Sequence, residues 1–162
     1  MSVEPYLERS MVIAAPPVGT RADLFALLGR LAAKKLRTPA LSADRLAALL
    51  EERESLQRTV VPEGIAFPHA IDAAIPRTLV GAALLRPPLR YADGAPPVSL
   101  CFALFGSGAT PLVHVRTLAA LARLVHREAS RERLLAARDD DDLFRRLLEE
   151  DRGRSAGDGG HP

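Results

Sequence analysis

The chain has 162 residues, 48% hydrophobic and 26% charged, which suits one domain with a real core and excludes wholesale disorder. Its 22 basic and 20 acidic residues leave a formal charge of only +2, which argues against a broad phosphate-backbone-binding face, so no nucleic-acid partner is expected. The lone cysteine, Cys101, excludes an internal disulfide and a cysteine-cluster metal site. The charged first ten residues lack a signal-peptide core, and no apolar run has the length of a membrane span. A cytoplasmic protein without direct membrane insertion is the expectation.

Taken in chain order, Met11–Ala14 reads as a weak edge strand, broken by Pro16, Pro17 and Gly19. Thr20 is placed to cap a helix, with Asp23 as its reciprocal acid. Leu24, Leu27, Leu28 and Leu31 share one helical face, Lys34, Lys35 and Arg37 suit the C-terminal end of the dipole, and Thr38-Pro39 ends the helix. A second helix starts at Ser42 and runs through Leu46, Leu49 and Leu50 into Glu51–Glu54. From Thr59 to His69 the helical period is lost, and a loop feeds a short strand, Ile65–Phe67, that stops at Pro68-His69.

Leu79–Leu85 and Val98–Phe105 are near-continuous apolar runs of strand length, as expected of strands covered on both faces. Asp93-Gly94 and two Pro-Pro pairs connect them. A helix opens near Pro111, and two more begin around Ser130 and in the acidic run Asp139–Asp142, where carboxylates suit an N-terminus. Helices flanking buried strands make an α/β domain. Residues 1–150 are expected to form that single domain, and the Gly-rich residues 151–162 a disordered tail.

Four histidines are the main chemical candidates. His161 lies in the tail, and His126, beside Arg127 and Glu128, reads as a solvated cap at a helix C-terminus. His69 follows Pro68, whose ring fixes the local backbone. His114 opens a helix and shares a face with Leu118, Leu121 and Val125, near N–H groups that lack helical partners. Position alone favours a core or turn histidine over a chemical role at both. Gly106-Ser107-Gly108-Ala109-Thr110 lies between a strand and a helix but lacks the third Gly of a dinucleotide loop and the Gly-Lys-Thr of a P-loop, so a plain turn is favoured.

The stretch Leu49-Leu50-Glu51-Glu52-Arg53-Glu54, followed by Gly64-Ile65-Ala66-Phe67-Pro68-His69-Ala70, resembles the enzyme IIA domain of the sugar phosphotransferase system, fructose/mannitol type, including its nitrogen-regulatory branch. In that family an L-x-x-R-E helix end leads to G-I-A-I-P-H with the same Arg-to-His spacing. His114-Val115-Arg116-Thr117-Leu118-Ala119 resembles the family's second histidine motif. The resemblance spans roughly Met11 to Leu148.

It implies an α/β fold with a mixed sheet of about five strands sandwiched between helices. It also implies a phosphocarrier in which His69 takes a phosphoryl group from the phosphohistidine carrier protein. His69 would pass that group to a IIB component, or its phosphorylation state would act as a signal on a regulated protein. On this reading His114 and Arg53 join His69 as catalytic residues, Thr59 and Gly64 belong to the phosphate loop, and neither metal nor cofactor is needed. The loop departs from the family's usual S/T-T-G-I-G-N-G: here it reads Arg58-Thr59-Val60-Val61-Pro62-Glu63-Gly64, with two glycines replaced by Val60 and Pro62. Val and Pro resist conformations that Gly allows. The alternative is therefore an interaction module that keeps the fold and binds a protein partner without phosphoryl turnover. A metal site on His69 and His114 lacks the further ligands that zinc sites use.

Overall fold

In the computed structural model residues 1–157 are described. They run β1 (Leu7–Ala14), α1 (Arg21–Leu36), α2 (Ala43–Leu56), β2 (Ile65–Ala66), β3 (His69–Asp72), β4 (Leu79–Leu89), β5 (Val98–Ser107), α3 (Pro111–Leu124), α4 (Glu128–Leu135) and α5 (Asp140–Gly157). The five strands form one mixed sheet in the order β1-β4-β5-β2, with β3 also on β5. β4 and β5 pair antiparallel at the centre, while β1, β2 and β3 run parallel to their neighbours. This is the α/β sandwich that the sequence predicts.

The central position of β4 and β5 explains their unbroken apolar sequence, since alternate side chains enter two different cores. Met11, Ala83, Cys101, Ala103 and Phe105 meet the leucines of α1 and α2 on one face. Val12, Leu84, Leu100, Phe102 and Leu104 meet Leu121, Leu124, Leu134, Leu143 and Leu147 on the other. Burial of these side chains, at about 25 cal/mol per Å² of apolar surface, is the main force closing the sandwich. The caps fall where the sequence places them: Thr20 accepts from the Asp23 N–H at 3.1 Å, and Ser42 accepts from the Arg45 N–H at 3.0 Å.

Two expectations require correction. The strand at Ile65 does not stop at Pro68-His69. It pauses for two residues and resumes as β3, in one continuous register that pairs Ala66 with Cys101 and His69 with Leu104. Proline removes a donor, yet the Pro68 carbonyl still accepts from the Leu104 N–H at 3.0 Å, so the ladder survives the interruption.

The second correction concerns the C-terminal end. The disordered tail expected from residue 151 is helical through Gly157, and residues 158–162 lie outside the described residues. Buried Asp151 anchors this end by accepting the N–H groups of Val3 and Glu4, and Arg152 pairs with Glu4.

Candidate active site

The interrupted strand β2–β3 forms one edge of the sheet, and the end of α2 and the start of α3 converge there. His69 is the first residue of β3 and His114 the fourth of α3, and their ring centroids stand 5.4 Å apart with the planes inclined by 58°. Side-chain alternation along a strand puts His69 on the same face as Phe67, which stacks on Phe102 beneath α3. Two residues separated by 45 positions in sequence are thus brought together by the β5–α3 connection.

Room for His114 comes from β5. A Cβ at Gly106 would lie 2.1 Å from His114 Nδ1, so the ring occupies the space that any other residue would fill. The Gly106-Ser107-Gly108 run therefore serves as a turn that seats this ring. His114 is 6% exposed, and its Nδ1 has no hydrogen-bond partner among the described residues. An orphaned Nδ1 favours the tautomer in which Nε2 carries the proton, because a buried N–H without an acceptor costs more.

His69 is held differently. Its Nδ1 lies 2.8 Å from the Phe67 carbonyl, which can only accept. Nδ1 must then carry the proton, and the lone pair of neutral His69 resides on Nε2. Burial, followed by the neighbouring Arg53 charge, lowers the His69 pKa against the opposing pull of the Phe67 carbonyl. Burial, then His69 and Arg53, push His114 down to about 4. Both rings are accordingly neutral near pH 7. The pair unites one nitrogen with a free lone pair, one potential N–H donor, and a nearby guanidinium suited to an anion.

Arg53 lies in the last turn of α2, where its guanidinium donates to the Gln57 carbonyl at 3.1 Å. Its charge is felt by both histidines. Thr59 and Gly64 both make contacts within the loop. The Thr59 hydroxyl lies 2.8 Å from a carboxylate oxygen of buried Glu54 and accepts from the Phe67 N–H at 3.2 Å. Gly64 adopts φ +75°, and a Cβ there would meet the Pro97 carbonyl oxygen at 2.6 Å. Both residues shape the loop from within.

Of the two departures in this loop, Val60 lies against the core under α1 and α2 and Pro62 is exposed, while Val61 between them packs against the opposite core. Glu54 is the residue that sequence reading missed. Within the charged run Glu51–Glu54 it looks like a solvated side chain, yet it is 1% exposed. Its only sequence signal is its place in the Arg-Glu pair that ends α2.

Among the described residues no group of three His, Cys, Asp or Glu side chains is placed to hold a metal ion. No helix there is long and apolar enough to cross a membrane.

Comparison with known proteins extends this geometry. The structure is similar to the nitrogen regulatory protein IIA-Ntr from Neisseria meningitidis, at TM-score 0.80 and 25% identity, over 90% of this chain and 98% of that one. It is also similar to the mannitol-specific cryptic phosphotransferase enzyme IIA CmtB from Escherichia coli, at TM-score 0.69 and 19% identity, over 92% and 99%. A third similar structure is enzyme IIA-mannitol in complex with phosphorylated enzyme IIB-mannitol from Escherichia coli, at TM-score 0.68 and 15% identity, over 88% and 99%. No curated protein matches the chain. Residues 6–150 match the family model for the phosphoenolpyruvate-dependent sugar phosphotransferase system, EIIA 2, and the chain belongs to that family.

Proposed function

We propose that the protein is a phosphocarrier in which His69 Nε2 accepts a phosphoryl group from the phosphohistidine of the system's small carrier protein. The observation that carries this reading is the bond from His69 Nδ1 to the Phe67 carbonyl, which reserves the Nε2 lone pair for attack beside His114 and Arg53. In the transfer the Nε2 lone pair forms the new N–P bond as the donor's N–P bond breaks. The electron pair of the broken bond returns to the donor imidazole, and His69 keeps its Nδ1 proton on Phe67. Charge in flight is spread over the phosphoryl oxygens, where fixed donors act most strongly. Arg53 supplies a planar fork of donors, and His114 supplies a neutral N–H from a ring seated against Gly106.

The phosphoryl group then passes to a IIB component, or the phosphorylated state acts on a regulated protein, in the cytoplasm. The solved complex of a related IIA with a phosphorylated IIB supports the first route, and the similarity to a nitrogen regulatory IIA supports the second.

The test is incubation with phosphoenolpyruvate and the two general proteins of the system, followed by measurement of acid-labile protein phosphate. Label on the wild type and none on His69→Ala is the expected result. Unlabelled wild type sinks the carrier reading, and label surviving in His69→Ala moves the site elsewhere.

A further inference from the structure

We infer that Glu54 and Thr59 are positioning residues that set the tautomer of His69 through the Phe67-Pro68 corner. This rests on the carrier reading only in its consequence for rate; the hydrogen-bond argument stands on the geometry alone.

Glu54 is buried at the end of α2, with both carboxylate oxygens turned to Thr59. The Thr59 N–H donates to Oε1 at 2.7 Å, and the Thr59 hydroxyl lies 3.1 Å from Oε1 and 2.8 Å from Oε2. The Phe67 N–H on the other side of the Thr59 hydroxyl can only donate, so the single hydroxyl proton points at Glu54. That leaves the Thr59 oxygen as an acceptor, and the Phe67 N–H uses it at 3.2 Å. On the far side of this residue the Phe67 carbonyl accepts from His69 Nδ1. One step further, the Pro68 carbonyl is tied to the Leu104 N–H at 3.0 Å.

The corner is therefore clamped before Phe67 by Thr59 and after it by the sheet, and the ring of Pro68 removes one of the remaining torsions. Among the described residues the group that meets the Phe67 carbonyl is the imidazole of His69. Glu54 and Thr59 fix where the Phe67 backbone sits, and the Phe67 carbonyl, an obligate acceptor, then sets which ring nitrogen of His69 carries the proton. Thr59 thus acts on the nucleophile without touching the phosphoryl group, and Glu54 acts through Thr59. The positions are separated by five residues from Glu54 to Thr59 and eight from Thr59 to Phe67, so the route is closed only in the folded chain.

The test uses ¹⁵N-labelled full-length protein and two-bond proton–nitrogen correlations of the His69 ring, alongside the rate at which the phosphorylated carrier protein labels His69. Wild type and Thr59→Ser are expected to show protonated Nδ1 and bare Nε2. Thr59→Val, which removes the acceptor for the Phe67 N–H, is expected to show a mixture of tautomers and phosphorylation slowed about fivefold to tenfold, the effect of one lost hydrogen bond. Should Thr59→Val not fold, Glu54→Gln decides the matter: the amide can donate as well as accept, which frees the Thr59 proton to turn away, and a mixed ring signature is expected. A Thr59→Val or Glu54→Gln protein that loses stability yet keeps the wild-type ring signature overturns the inference, since a purely structural role predicts that outcome. A wild type that takes no phosphoryl group refutes the carrier reading, while its ring signature still decides the positioning role.

Discussion

Both edges of the sheet are strands running parallel to a neighbour, with one side left without a ladder partner. At the β1 edge the exposed backbone is met by acids: Asp140 accepts from the Ala14 N–H at 2.7 Å, and Asp151 accepts from Val3 and Glu4 just before the strand. Neighbouring charges are paired, Arg9 with Asp141 and Arg152 with Glu4. At the β2–β3 edge the backbone of Phe67 is met by a hydroxyl and an imidazole instead. The same requirement, that edge donors and acceptors find partners, is thus met by carboxylates at Ala14 and just before β1, and leaves a free lone pair at the other edge.

Acid should separate the two edges most sharply. His114 titrates at 6.5 when unfolded and about 4 when folded, and the His69 pKa is lowered as well, so the unfolded chain binds protons first. The stability these rings contribute is complete above pH 6.5 and is lost as pH falls towards 4, by up to about 3 kcal/mol for His114. The acidic network at the start of α5 responds later. Asp142 is held at about 2 by the Arg138 N–H and by Arg145 and Arg146, so its share is lost only as pH falls from 3.8 towards 2. Urea unfolding at a series of pH values should show this order, and His114→Gln should flatten the upper slope while keeping the lower one. A wild type equally stable at pH 6.5 and pH 4 would contradict the assignment.

Gly106→Ala should break the site edge alone. The new methyl would sit 2.1 Å from His114 Nδ1, and the ring must leave its seat. Overpacking of this kind costs about 2 kcal/mol, measurable as a lower urea midpoint with unchanged slope. The nuclear Overhauser contact between the His69 and His114 rings should vanish, while amide signals of Ala14 and Val3 stay where they are. An intact ring pair in this variant would show that β5 does not seat His114.

The contrast between the edges also marks what could be read in advance. The central strands were legible because Leu79–Leu85 and Val98–Phe105 lie under helices on both faces, and an apolar run of strand length with no polar alternation fits burial from two sides. The histidines were legible through a motif that places Arg53, His69 and His114 in order, and the fold does bring the two rings together. β3 escaped because Pro68 looks like a stop, and only the partner strand shows that its carbonyl stays in register. Glu54 and Asp151 escaped for one shared reason. A carboxylate in a charged run is ordinarily solvated, and its burial here depends on donors outside its own helix, Thr59 in the following loop for Glu54 and Val3 and Glu4 at the other end of the chain for Asp151.

Asp151→Asn gives the smallest expected effect and the cleanest control for the comparison. An Asn oxygen at the Oδ2 position can still accept from both Val3 and Glu4, whose N–H groups each lie 3.0 Å from Oδ2, so only the second Val3 contact at Oδ1 is lost. Charge assistance is lost at both. A bond to a charged acceptor exceeds a neutral one by about 1 kcal/mol, so the expected destabilisation is about 1 kcal/mol. Thermal unfolding should register it as a drop of a few degrees, and hydrogen exchange at Val3 and Glu4 should quicken. Phosphorylation of His69 should proceed at the wild-type rate, because Asp151 closes the β1 edge and nothing connects it to the Phe67 corner. A slowed transfer in Asp151→Asn would mean that the two edges are coupled through the sheet, and the division drawn between them would have to be abandoned.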